Sequence, residues 1–137
     1  MNDTKVRFLD PSIMEYFEQR GQKFEVTFNK LLTLGSFCTN VKALQEVVYR
    51  YHLIGETKRG YELAKLVRDN TKVFSVTKDD IYSVQKLLKR YPTSAPRELL
   101  HTANMANNNI KSLVCAPTNN YTEIDDVEVI PMVAKLQ

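Results

Sequence analysis

The chain has 137 residues, which is enough for one domain with a buried core and too few for two ordinary domains. Its hydrophobic fraction of 43% and charged fraction of 26% are typical of a globular protein and argue against disorder. No apolar run approaches the ~20 residues of a membrane-spanning helix, and the N-terminus lacks the apolar core of a signal peptide. We therefore predict one cytoplasmic domain over residues 1–137, with no membrane segment.

Short apolar runs alternate with amphipathic segments, a pattern that predicts an α/β fold with a mainly parallel sheet. In chain order the predicted elements are a strand at 5–10, helices at 12–20 and 23–33, a strand at 35–40, helices at about 41–55 and 57–69, a strand at 72–76, a helix that Thr77 caps, a helix at about 97–107, and two strands within IKSLVCA and VEVIPM. No internal repeat, low-complexity tract or linker interrupts this order.

Apolar residues at helical spacing predict which helix faces are buried. In helix 41–55 the predicted inward stripe is Val41, Leu44, Val48 and Tyr51. In the helix that Thr77 caps, the predicted stripe is Ile81, Val84, Leu88 and Tyr91.

Asp10 ends the first predicted strand, although Asp is a poor strand former. In open parallel sheets ligands gather beyond the carboxyl ends of the strands, so the location suggests a metal ligand. A single carboxylate rarely holds Mg²⁺, and the two further acids near this edge are Glu46 and Glu98.

Each of these acids also has a purely local explanation. Asp10 can cap the following helix, and Glu98 lies in a first helical turn, where the backbone dipole favours any acid. Glu46 is four residues before Arg50, which is the spacing of a surface ion pair. Spacing alone leaves both explanations open.

Other chemistries have little support in the sequence. His52 and His101 lie on separate predicted helices without a second His or Cys three or four residues away, so zinc is not expected. No GxSxG elbow, P-loop or GxGxxG motif is present. The phosphatase pattern of two acids flanking one residue also fails, because position 12 is Ser.

Taken in order, the segments that carry the three acids resemble the PIN-domain family, in particular the toxin ribonucleases of the VapC type. RFLDPSIMEYF is similar to the family's opening strand, which ends in Asp. TLGSFCTNVKALQEVVYRYHLIG is similar to its second strand and helix, with the acid at Glu46. VFSVTKDDIYSVQKLLKRYPTSAPRELLHTANMANNNIKSLVCA is similar to the stretch in which Ser-x-Arg-Asp-Ala-Leu-His precedes another strand. The resemblance covers nearly the whole chain.

This resemblance implies a three-layer α/β/α sandwich around a mainly parallel sheet of four to five strands. It implies an endoribonuclease that hydrolyses RNA phosphodiester bonds with Mg²⁺ or Mn²⁺ and serves as the toxin of a toxin–antitoxin system. Asp10 and Glu98 then bind the metal directly, and Glu46 binds it or orients the attacking water. Ser12 helps to hold Asp10. A small antitoxin protein and a homodimer are the implied protein partners.

The sequence departs from the family at three places. Pro11 replaces the usual Thr beside the first acid, and Glu98 stands where the family has Asp. The fourth acid is missing, because the corresponding segment reads CAPTNNYTEI. The residues at and after the position of the missing acid are Pro117 or Thr118, then Asn119 or Asn120, with Tyr121 matching the family's aromatic residue.

These departures leave two alternatives beside the active nuclease. One is a catalytically impaired PIN-like domain that binds RNA or a protein without cleaving it. The other is an unrelated α/β domain in which the three acids are caps and surface pairs and lie far apart.

The formal net charge is +3, and the basic residues are concentrated between Arg50 and Arg90. This surplus is compatible with RNA binding, although a solvated mixed-charge face explains it as well. The candidates for phosphate contact are Lys58, Arg59, Lys65, Arg68, Lys86, Lys89 and Arg90. The apolar helical faces within 12–33 and 41–67 are the candidates for a homodimer interface.

Overall fold

The computed structural model describes residues 5–137, and residues 1–4 of the predicted domain lie outside the described part. Five parallel strands form one sheet in the order β3-β2-β1-β4-β5. The strands are β1 (Val6–Leu9), β2 (Ser36–Asn40), β3 (Lys72–Phe74), β4 (Ser112–Val114) and β5 (Glu128–Val129). The helices are α1 (Ser12–Glu18), α2 (Phe24–Leu32), α3 (Val41–Leu53), α4 (Thr57–Asn70), α5 (Lys78–Arg90), α6 (Pro96–Asn107) and α7 (Val133–Leu136).

The side chains of the central strand face two separate cores. Phe8 is fully buried among residues of α5, α6 and β4, whereas Leu9 packs with α1, α2, α3, α4 and α7. Successive residues of a strand point to opposite faces of the sheet, so apolar side chains on both faces require helices on both faces. The predicted three-layer α/β/α sandwich with a parallel sheet is therefore confirmed. Among residues 5–137 no helix is long and apolar enough to cross a membrane.

The starts of α3 and α5, which follow β2 and β3, are fixed by side-chain caps. Asn40, the last residue of β2, accepts a hydrogen bond from the backbone N–H of Ala43 at 2.8 Å and so begins α3. Thr77 begins α5 in a reciprocal capping box with Asp80, as its position in the sequence predicts. These caps fix where the helices leave the carboxyl edge of the sheet.

The predicted buried stripes of α3 and α5 are wrong in part. Val41, Ile81 and Leu88 are exposed by 49%, 53% and 39%, whereas Val47 and Leu87 are buried. On α5 a polar residue decides which face is buried. Asp80 hydrogen-bonds to α6, so the face that carries Asp80 points inward. Leu87 lies seven residues after Asp80 and shares its face, so Leu88 turns outward.

The remaining boundaries follow the prediction closely. The predicted helices and the first three strands agree with the observed ones to within two residues at each end. The short helix α7 was not predicted. Gly60 lets α4 approach α3, because a Cβ there would lie 2.8 Å from the Cβ of Tyr51.

Candidate active site

The topology brings the three predicted acids to one edge of the sheet. Asp10 follows β1, Glu46 lies in α3 after the neighbouring β2, and Glu98 lies in the first turn of α6. Helix α6 runs back against the strands before β4, so its N-terminus lies at the carboxyl edge. All three carboxylates are largely shielded from water, with residue exposures of 1%, 9% and 6%.

A single guanidinium, that of Arg97, joins the three acids. Its Nη2 donates to Asp10 Oδ1 at 2.9 Å and to Glu46 Oε1 at 2.9 Å. Its Nε donates to Glu46 Oε2 at 2.7 Å, and its Nη1 donates to Glu98 Oε2 at 2.9 Å. The alternative in which the acids lie far apart as unrelated caps and surface pairs is therefore excluded.

The local explanation for Glu46 is also wrong. Arg50 forms an ion pair with Glu15 on α1 instead, whereas Glu46 turns toward Arg97 and comes within 3.8 Å of Lys42 Nζ. Arg50 is exposed and lies on the same side of α3 as Glu46, but its guanidinium reaches across to α1.

Asp10 is held from two directions. The backbone N–H of Ser12 donates to Oδ2 at 3.0 Å, and the Tyr121 hydroxyl donates to Oδ1 at 2.9 Å, although the N-cap of α1 is Pro11 and not Asp10. Ser12 Oγ accepts from the N–H of Ala116 and so ties the start of α1 to the segment after β4. Burial and the nearby Asp10 charge raise the pKa of Tyr121, which keeps its hydroxyl a donor.

His101 holds the second acid in place. The amide of Asn40 is oriented by its oxygen, which accepts from Ala43, so its Nδ2 donates to His101 Nδ1 at 3.0 Å. His101 is fully buried, and because its Nδ1 accepts from Asn40, its Nε2 is the nitrogen that donates toward Glu46 Oε1, at 3.4 Å. Burial acts to raise the pKa of Glu46, but the hydrogen bonds from His101 and Arg97 outweigh it and lower the pKa to about 2.

A buried polar network continues from this histidine to α5. Asn40 also donates to Asn104 Oδ1 at 3.1 Å, and Asn104 Nδ2 donates to Asp80 Oδ2 at 2.9 Å. Asn107 Nδ2 donates to the other Asp80 oxygen at 2.8 Å. The network fixes α6, and with it Arg97 and Glu98, against the strand end that supplies Asp10.

A polar cleft of about 390 Å³ opens above the acids. Asp10 and Glu98 line it together with Arg50 and with Thr118, which is one of the two residues at the position of the missing fourth acid. The side chain of Asn119 serves its own loop, because Nδ2 donates to two backbone carbonyls and Oδ1 accepts from the Tyr121 N–H. The remaining lining residues are Ser12, Ala95, Arg97, Asn120 and Tyr121.

An apolar groove of about 310 Å³ lies beside this cleft. Its lining includes Met14 of α1, Phe24 of α2 and Val47 of α3, and Ile54 stands at its rim with 65% exposure. Arg50 lines both the groove and the cleft, so the two depressions meet at that residue.

The seven predicted phosphate-contact residues lie on α4 and α5 and do not line the cleft. Arg59 pairs with Glu18 and Glu25, and Lys65 and Arg68 pair with Asp69. Arg90 pairs with Asp126, and the side chains of Lys58, Lys86 and Lys89 are exposed. Arg50 and Arg97 are the basic residues of the cleft lining, and the sequence analysis selected neither.

The donor chemistry of the site suits a hard divalent cation, because three carboxylates converge on it. The spacing of the three carboxylates does not suit such a cation, because the Arg97 guanidinium lies between them. Within residues 5–137 no three Asp, Glu, His or Cys side chains stand close enough together to hold an ion. An ion coordinated by all three acids would need the guanidinium to move away from the space between them.

The fold and the acidic edge define a PIN-like α/β/α domain. No protein-family model matches the sequence, and no curated protein is similar to it. Solved structures of VapBC complexes do match the fold, and the matching chains are VapC toxins.

Three of these structures illustrate the likeness. VapBC2 from Rickettsia felis, bound to a DNA fragment from its promoter, gives a TM-score of 0.68 at 11% identity, with 91% of this chain and 97% of that chain covered. DNA-bound VapBC from Salmonella typhimurium gives 0.68 at 14% identity, with 93% and 98% covered. VapBC-5 from Mycobacterium tuberculosis, a member of the VapBC family of toxin–antitoxin systems, gives 0.59 at 15% identity, with 91% and 97% covered. At these identities the likeness establishes the fold.

The network predicts an acid-sensitive contribution of Asp80 to stability. Burial acts to raise the pKa of Asp80, but hydrogen bonds from Asn104, Thr77 and Asn107 lower it below the ordinary value of 3.8. The ionised carboxylate therefore stabilises the fold above pH 3.8, and that stabilisation is lost as the pH falls below it. Asp80→Asn should lower the free energy of unfolding at pH 7 by about 1–3 kcal/mol, since an amide places N–H groups against donors.

Urea denaturation at pH 7 and at pH 3 measures this effect, with the exposed neighbour Asp79→Asn as the matched control. The deficit of Asp80→Asn should shrink at pH 3, whereas the control should differ little from the wild type at either pH. An equal deficit at both values would contradict the assignment.

Proposed function

We propose that the protein is a VapC-like endoribonuclease that hydrolyses RNA phosphodiester bonds with Mg²⁺ or Mn²⁺. The observation that carries the proposal is the convergence of Asp10, Glu46 and Glu98 on one point at the carboxyl edge of the sheet. A polar cleft of about 390 Å³ opens above them, and Asp10 and Glu98 line it. The fold of VapC toxins supports the proposal.

Each acid has a role that follows from its surroundings. Asp10 and Glu98 line the cleft and would hold the ion, while Glu46 would complete the ligand set or orient the attacking water. Such an ion lowers the pKa of bound water and stabilises the charge that develops on the phosphate. Glu46 is ionised at neutral pH because its pKa is about 2, so it accepts a hydrogen bond from water but is a weak base.

The basic residues of the chain would hold the RNA backbone. Arg50 lies at the cleft itself and is the first candidate for a phosphate next to the scissile bond. The exposed lysines Lys58, Lys86 and Lys89 would contact more distant phosphates.

A second candidate function is binding of RNA or a protein without cleavage. The lining of the cleft supports this alternative, because neither Pro117 nor Thr118, the two candidates for the position of the fourth acid, carries a carboxylate, and Thr118 brings a neutral hydroxyl to the cleft. A site with three acids binds a divalent ion less strongly than a site with four. An assay of RNA cleavage by the wild-type protein discriminates between the two functions.

Asp10→Asn should abolish metal-dependent cleavage of single-stranded RNA, with a loss of at least about hundredfold, because it removes a charged ligand while keeping the shape. The measurement is the cleavage rate of a labelled RNA with Mg²⁺ and with Mn²⁺, and Asp79→Asn serves as an active control. A wild-type protein that is inert with both ions would reject the nuclease and favour binding without cleavage.

The proposal includes an antitoxin as partner, as in the toxin–antitoxin system whose structure this chain resembles. The apolar groove beside the cleft is the surface that fits a segment of such a partner, because it is continuous with the acids through Arg50. A segment seated there would also cover the cleft. Self-association through the faces within 12–33 and 41–67 stays a prediction, which the mass of the purified protein in light scattering tests.

Ile54→Glu should prevent stable assembly with the antitoxin, because it places a charge at the rim of the apolar groove. The measurement is co-purification of the chain with each small protein encoded by the reading frames that flank its gene. Ile81→Glu is the matched control, since Ile81 is 53% exposed on α5 away from the groove. Equal complex formation by both variants would place the partner elsewhere, and the absence of any complex with the wild type would reject the antitoxin.

A further inference from the structure

Arg97 occupies the centre of the acidic site. It uses four of its five N–H groups on carboxylate oxygens, at distances of 2.7 to 2.9 Å from Asp10, Glu46 and Glu98. Its side chain is only 25% exposed. Charge-assisted hydrogen bonds of this length are among the strongest that proteins form, so the guanidinium is firmly held.

The place of this guanidinium is the place that a metal ion would take. Mg²⁺ draws its oxygen ligands to about 2.1 Å, with the ligands surrounding it on several sides. The oxygens of the three acids instead face the nitrogens of Arg97 at hydrogen-bond distance. An ion and the guanidinium cannot both occupy the space between the same three carboxylates.

The charges of the cluster also oppose the presence of an ion and the Arg97 guanidinium at the same time. Three carboxylates and one guanidinium sum to −2, and the amino group of Lys42 lies 3.8 Å from Glu46 at the edge of the cluster. An ion that entered with Arg97 in place would bind a partly neutralised cluster and meet a like charge at close range. The partial neutralisation of the carboxylates and the repulsion between like charges therefore both favour a single cation in the site.

We propose that Arg97 is an internal competitor for the metal. In the free protein its guanidinium holds the three carboxylates together and excludes a divalent cation, which binds only after Arg97 has left. The identity of the ion as Mg²⁺ or Mn²⁺ rests on the proposed function, but the competition does not require that RNA is cleaved. The apparent dissociation constant of the ion is then its intrinsic value divided by the fraction of molecules with Arg97 displaced.

Calorimetric titration of the full chain with Mn²⁺, without RNA, tests this competition. Arg97→Gln should bind Mn²⁺ at least about tenfold more tightly than the wild type, because its site is always open. Arg50→Gln is the matched control, since it removes the same charge from the cleft lining but leaves the three acids and Arg97 in place. Its affinity should stay within about threefold of the wild type.

Arg97→Gln binding Mn²⁺ no more tightly than the wild type would overturn the proposal. So would an equal gain in Arg50→Gln, because the effect would then come from the lost charge alone. Adding Asp10→Asn to Arg97→Gln should remove the gain, which shows that the tighter site is the acidic one. A gain that survives this double substitution places the ion elsewhere and rejects the proposal.

A measurement on the wild type covers the case in which Arg97→Gln fails to fold. The Nε–H resonance of Arg97, assigned by its loss in Arg97→Lys, should shift when Mg²⁺ saturates the protein, because the bond to Glu46 is broken. An unchanged resonance at saturation would contradict the exchange. Failure of the proposed function gives a different result, namely no cleavage of RNA, and leaves these metal-binding results intact.

Discussion

The hydrogen bonds of Arg97 are the interaction on which the rest of the site depends. Three carboxylates with small exposure at one strand edge repel one another, and without a cation they would take up protons. The guanidinium removes that conflict with bonds to all three. Burial alone would lower the pKa of Arg97, but Asp10 and Glu46 raise it, so the residue stays charged. The protein therefore carries its own counterion at this site.

The fold supplies this arrangement from distant parts of the chain. Because β1 is central in the sheet, its end is flanked by the start of α3 on one side and by α6 on the other. Asn40 connects the two sides, since it caps α3 and also bonds to His101 and Asn104 of α6. The same side chain thus begins a helix and orients the histidine that holds Glu46. Stability and site geometry share these polar contacts.

The sequence predicted the fold and the three acids because both depend on local patterns and their order. The hydrophobic periods of strands and helices can be read from neighbouring residues. Asp10 is recognisable as an acid that ends an apolar strand. The register of α5 was wrong because a buried Asp80 selects the inward face, and its partners are on another helix. Arg97 was overlooked although it stands at the Arg of the Ser-x-Arg-Asp pattern, because only tertiary contacts show that it joins the three acids. Arg50 likewise pairs with Glu15 of α1 rather than with Glu46, and this too is a tertiary contact that spacing along α3 does not show.

Anomalous diffraction from crystals of the wild-type protein grown with Mn²⁺ shows directly whether the ion replaces the Arg97 guanidinium. We expect one anomalous peak coordinated by Asp10 and Glu98, with Glu46 in contact with the ion or its water. The Arg97 guanidinium should then have moved out of the space between the three carboxylates. Arg97 still bonded to all three acids at saturating Mn²⁺, with no peak between them, would contradict the competition between Arg97 and the ion.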